Sequence, residues 1–106
     1  MSQPVLIRYA VTDVEQAVAT GLEGQSLFFK SLYISNNTNN THHIYLGVVR
    51  GTAQMTQGDH ILYQYNVTGY QYLALSNILV PDGHQLRAYS NSATAFSIVA
   101  SGVVGA

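Results

Sequence analysis

The sequence predicts an all-β fold, an antiparallel β-sandwich of about eight short strands. Three observations carry that reading. Apolar residues come in short runs rich in β-branched and aromatic side chains. Clusters of glycine, asparagine and a Pro-Asp-Gly triplet cut the chain between those runs. The whole chain is 106 residues, enough for one domain with one core but not for two. Residues 1–106 are therefore read as a single domain, with 1–12 forming an N-terminal arm or an edge strand.

The elements follow in order. Val5–Val11 is β-branched and aromatic, and reads as a strand. Thr12-Asp13-Val14-Glu15 fits a helical capping box and Gly21 a helix stop, so Asp13–Thr20 reads equally as a short helix or as a strand with Val14 and Val18 on one side. Leu27–Ser35 (LFFKSLYIS) is a clearer strand. Strict alternation would place Phe28, Lys30, Leu32 and Ile34 on one face, and Leu27, Phe29, Ser31 and Tyr33 on the other. Asn36–Thr41 (NNTNNT) is a loop in which no side chain is expected to be buried. His43–Arg50 is the next strand, and polar Gly51–Gly58 interrupts the pattern. His60–Val67 and Tyr70–Asn77 are two more strands. Ile78–Gly83 ends in the turn Pro81-Asp82-Gly83, and Gln85–Ser90 and Ala95–Val103 complete the set.

A local quasi-symmetry, Tyr63-Gln64-Tyr65 and Tyr70-Gln71-Tyr72 around Asn66-Val67-Thr68-Gly69, suggests a hairpin. A four-residue loop would set Tyr65 opposite Tyr70 and Tyr63 opposite Tyr72, an aromatic ladder on one face. Such a ladder serves sheet packing, a subunit interface or a sugar platform, because a tyrosine ring is apolar while its hydroxyl stays hydrogen-bonded.

Charge is scarce. Four basic residues (Arg8, Lys30, Arg50, Arg87) face five acids (Asp13, Glu15, Glu23, Asp59, Asp82), 8 % of the chain, against roughly 25 % in ordinary domains. Neutral polars take their place: 7 Asn, 8 Gln, 9 Ser and 8 Thr. A net charge of −1 offers no electrostatic footprint for nucleic acid and no polybasic membrane patch. Mixed charge normally keeps domains soluble and apart, so its absence points to surface covered by partners. The opening MSQPVLIRYAV has no basic segment followed by a long apolar one, and no apolar run reaches transmembrane length. The expectation is a protein made inside the cell, soluble or particle-bound.

Chemistry-bearing residues are sparse. With no cysteine, disulfides, thiol nucleophiles and cysteine-ligated zinc are excluded. Asp59 and Asp82 stand beside Gly58 and Gly83 and read as turn residues, and Asp13 and Glu15 as capping residues. His42 and His43 are neighbours, so in a strand their rings face opposite sides, a poor spacing for one metal. His60 and His84 each follow a turn. No HExxH, GxSxG or phosphate-cradling glycine loop occurs. No catalytic, cofactor-binding or metal-ligating residue is assigned. The sequons at Asn36, Asn39 and Asn66 read as asparagine- and threonine-rich loop composition.

From about Glu15 to its end the chain resembles small β-sandwich virion proteins of tailed bacteriophages, chiefly capsid decoration (cement) proteins. The residues that carry the resemblance are Gly24-Gln25-Ser26 leading into LFFKSLYISNN (27–37), IYLGVVRG (44–51), LALSNILVPDGHQLRAYS (73–90) and FSIVASGVV (96–104). These are glycine turns and hydrophobic alternation, without a catalytic signature. The resemblance implies a jelly-roll-like sandwich, a strand over 15–20, a homo-oligomer with a trimer favoured, and binding to a capsid or other virion surface. It transfers no individual functional residue.

The expectation is thus a non-enzymatic virion component on the capsid exterior, assembled in the host cytoplasm. It would bind the major capsid protein or another virion protein and cement the shell, without cofactor, nucleic acid or membrane. The contact elements expected are the N-terminal strand Ser2–Tyr9, with Val5, Ile7 and Tyr9, and the tyrosine hairpin, with Tyr63, Tyr65, Tyr70 and Tyr72. The alternatives are a neck, tail or fibre component, and a carbohydrate-binding module using that hairpin.

Overall fold

The computed structural model describes residues 3–105. Eight strands are present: β1 (Gln3–Ala10), β2 (Gln16–Thr20), β3 (Ser26–Asn36), β4 (His42–Arg50), β5 (His60–Val67), β6 (Tyr72–Val80), β7 (His84–Ser90) and β8 (Phe96–Gly105). They form two antiparallel sheets, β1-β8-β3-β6 and β2-β7-β4-β5. The pairs β1·β8, β2·β7, β3·β6 and β4·β5 are the rungs of one long two-stranded ribbon. Rolling that ribbon adds β3·β8 and β4·β7, which is the order of a jelly roll. The fold class read from the sequence is the one found.

The core lies between the sheets. Phe29, Leu32, Ile34, Phe96 and Ile98 from the first sheet meet Ile44, Leu46, Leu86 and Ala88 from the second, all nearly inaccessible. Burying such side chains stabilises the fold by about 1.5–3 kcal/mol each, and two inner faces packed this way are the source of a sandwich's stability. Among the described residues no helix is long and apolar enough to cross a membrane.

Of the two readings of 13–20 the strand holds, as β2 from Gln16 to Thr20, and three other local readings need correction. The capping-box helix over 13–20 does not form: Thr12 Oγ1 accepts from Val14 N instead, and Glu15 turns to Arg87. Gly21 is no helix stop. Its N–H donates to His84 O, and an added Cβ would lie 2.5 Å from Pro81 O. The alternation in β3 breaks at a register shift between Phe29 and Ser31, a bulge that leaves one residue unpaired and reverses the facing pattern. Leu27 and Phe29 are therefore buried together with Leu32 and Ile34, not opposite to them.

Asn36, assigned to an exposed loop, is 2 % exposed and ends β3. Its Nδ2 donates to Asn40 O (2.8 Å) and Val67 O (2.9 Å), while its Oδ1 accepts from Thr38 N and Thr38 Oγ1. A short amide side chain matches turn backbone groups, so here polarity and burial go together. The tyrosine hairpin is absent. β5 belongs to one sheet and β6 to the other, so residues 68–71 carry the chain between layers, and Tyr63 does not face Tyr72.

Candidate functional site

Two surfaces stand out, one on the outside of each sheet. On the outer face of β1-β8-β3-β6 the registers align four rows: Pro4, Val103, Phe28 and Leu79; Leu6, Ser101, Ser31 and Ser76; Arg8, Val99, Tyr33 and Ala74; Ala10, Ser97, Ser35 and Tyr72. Within these rows Arg8 is the one charged side chain. Lys30, at the bulge, adds a second positive charge beside a shallow groove of about 500 Å³ along Pro4, Leu6, Ser101 and Val103. Leu6, Tyr33, Tyr72, Leu79 and Val99 are all exposed. Between them lie small hydroxyls, such as Ser31 and Ser101, 3.0 Å apart. Tyr33 and Tyr72 touch through tilted rings at 6.1 Å. Large apolar residues gathered on one face are the mark of an interaction surface, whereas scattered ones are ordinary.

The outer face of β2-β7-β4-β5 is different. Tyr45 stacks on Tyr89 with ring centroids 4.3 Å apart and planes 7° apart. Tyr63 meets Tyr45 edge-on at 5.3 Å. His60 lies edge-on to Tyr63 at 5.0 Å and to Tyr45 at 6.1 Å, and His43 flanks Tyr45 at 5.6 Å. The connection 51–59 folds over this cluster. Val48 N donates to Asp59 O, and Met55 N donates to the Glu15 carboxylate at 3.0 Å. Glu15 in turn holds Arg87 at 2.7 Å, both side chains little exposed, and Arg87 Nη1 donates to Gln85 Oε1. Beside the cluster is a depression of about 560 Å³ lined by Met55, Thr56, Gln57, His60, Tyr63 and Tyr89.

Burial pushes the Tyr89 phenol up from its ordinary range, and neighbouring Tyr45, Glu15 and Tyr63 add to the effect. Burial likewise raises Tyr9, against the opposing charge of Arg87. Asp59 is held below the usual carboxylate range by the backbone N–H and then the hydroxyl of Thr56. Among the described residues no three His, Asp or Glu side chains converge as a metal would require. His42 and His43 do face opposite ways: His42 packs edge-on to core Phe96 and His43 onto Tyr45.

Of the side chains singled out in the sequence, Val5, Ile7 and Tyr9 are half-buried against the core. The solvent-facing residues of that strand are Gln3, Pro4, Leu6, Arg8 and Ala10. Tyr63, Tyr65, Tyr70 and Tyr72 are all exposed, but they are dispersed. Tyr63 joins the aromatic cluster, Tyr72 the opposite face, and Tyr70 the β5–β6 connection, where its N–H donates to Thr38 O. Sequence reasoning missed Tyr45, Tyr89 and Tyr33, whose partners come from strands far away in sequence.

The fold and these surfaces define a jelly-roll sandwich that presents one nearly uncharged face and one aromatic cluster. Comparison with protein-family models, with curated proteins and with solved structures finds no match.

Proposed function

We propose that the chain is a non-enzymatic structural component of a phage virion, docking on the shell through the outer face of β1-β8-β3-β6 and cementing it. The observation that carries this reading is the charge-poor, apolar-and-serine composition of those four rows. Broad contact of that composition gains roughly 25 cal/mol per Å² of apolar area, which must exceed the entropy lost on association. Repetition in an oligomer, a trimer by resemblance, multiplies the effect by avidity.

The sheet edges favour a face over an edge as the contact. Pro4 removes a donor from edge strand β1. Edge strand β2 has only 5 residues and a register shift. Edge strands β5 and β6 carry Gln64 and Asn77 at φ 50° and 59°. Each device blunts strand-to-strand addition.

The test compares particles with and without the protein. Loss of the chain is expected to lower resistance to heat and osmotic shock, and Val99→Asp, on the outer face, to release the protein while leaving its fold intact. Unchanged resistance of particles lacking the chain would remove the cementing role. A position in the neck or tail rather than the shell would be seen directly in a density map of the particle.

A further inference from the structure

We propose that the depression beside the aromatic cluster on the outer face of β2-β7-β4-β5 is a binding site for a neutral saccharide. It lies on the opposite side of the sandwich from the docking face, so the inference does not rest on that reading.

The geometry is a corner. Tyr89 is stacked nearly parallel to Tyr45, at 7°, whereas Tyr63 stands at 87° to Tyr45. Tyr63 and Tyr89 are therefore close to perpendicular, two aromatic walls meeting at the depression they both line. One wall is fixed, because Tyr45 backs Tyr89 at 4.3 Å. The other is presented to solvent, with Tyr63 67 % exposed. A volume of about 560 Å³ is in the range of small-ligand sites.

The lining fixes the ligand class. Met55, Thr56, Gln57, His60, Tyr63 and Tyr89 include no Asp, Glu, Lys or Arg. The nearby ions are already engaged: Glu15 with Arg87 and Met55 N, and Asp59 with Thr56. An anionic ligand finds no lysine or arginine in the lining, and the neighbouring Asp59 carboxylate is turned to Thr56 through Oδ2. What remains is apolar ring surface next to an amide, hydroxyls and an imidazole. That combination suits a molecule with an apolar C–H face and a rim of hydroxyls, which is a pyranose.

His60 supplies a second observation. Neither of its ring nitrogens has a hydrogen-bond partner, and both are closed off from solvent between the Tyr45 and Tyr63 rings. A buried polar atom left unpaired is costly. A sugar hydroxyl both donates and accepts, so it can pair with either ring nitrogen. Reaching these nitrogens requires a neighbouring ring to move, and Tyr63 is the one that faces solvent.

The experiment titrates the full chain with glucose, galactose, mannose and N-acetylglucosamine, following backbone amide shifts by NMR. Tyrosine fluorescence serves as a second readout, since the chain has no tryptophan. At least one sugar is expected to give saturable shifts at amides of residues 54–63 and at Tyr89. Tyr63→Ala is expected to weaken binding about tenfold, the scale of one lost aromatic stack, while Tyr63→Phe retains it. Tyr70→Ala, in the β5–β6 connection, is expected to leave binding unchanged. The proposal is overturned if no sugar gives saturable shifts in the wild-type chain, if binding survives Tyr63→Ala, or if choline shifts these amides and the sugars do not. The wild-type map and Tyr63→Phe decide the matter even if Tyr63→Ala does not fold.

Discussion

Asn36 shows how much a single side chain carries in this fold. Its amide bonds join the end of β3 to the end of β5 and to the 37–41 loop. Asn36→Leu keeps the branched four-atom side chain but orphans those partners, and is expected to cost about 2–4 kcal/mol, read as a lowered urea midpoint. Gly102 acts through space instead. A Cβ there would lie 1.9 Å from Phe28 O, so Gly102→Ala forces β8 away from β3 and is expected to destabilise by about 3 kcal/mol or more. Gly24, at φ 78° with open space around it, is expected to lose only about 1 kcal/mol on change to alanine. Comparing the two melts separates crowding from backbone strain. The partly buried phenols give the pH dependence. Tyr9 and Tyr89 are raised by the fold, so their neutral forms belong to the folded state. Their contribution is complete below the ordinary tyrosine range and is lost as pH climbs through the raised values. Alkaline unfolding, followed by phenolate absorbance, is expected to set in as these two ionise.

At the scale of elements, the 51–59 connection is latched by the Glu15–Arg87 pair through Met55 N. Removing one partner leaves the other charge little exposed and unpaired. Glu15→Gln is expected to cost about 2–3 kcal/mol, below the value for fully buried pairs, and to speed amide exchange across 51–59 specifically. Equal exchange in both proteins would show the latch to be incidental. The strands themselves were legible in the sequence, because alternation and turn residues are local signals. Which strands pair was not. β5 and β6 are neighbours in sequence, flank a plausible turn and carry matching tyrosines, yet they lie in different sheets. A short connection serves a hairpin and a sheet crossing equally well, and alternation fixes the face of a strand but not its partner. The β3 bulge was hidden for a related reason. It is imposed where Gly102 lets β8 approach Phe28 and Phe29, a contact between residues more than seventy positions apart.

At the scale of the whole molecule, the low charge finds its place on one face. Of the nine charged side chains, Glu15 and Arg87 satisfy each other, and only Arg8 and Lys30 lie on or beside the four outer rows. Composition made a charge-poor surface legible in advance, but not its location, because that depends on the register of four strands. The tyrosine richness was likewise visible, while its division between the charge-poor outer face and the aromatic cluster required the jelly-roll order. A contact built from such a face is held by apolar burial, and its strength should depend only weakly on salt, which screens exposed charge. The most direct measurement is the amount of this chain in purified intact phage particles before and after a wash in molar salt. A shell-bound structural protein is expected in a fixed ratio to the major capsid protein, unchanged by the wash. Absence from the particles, or release by salt alone, would contradict the docking role.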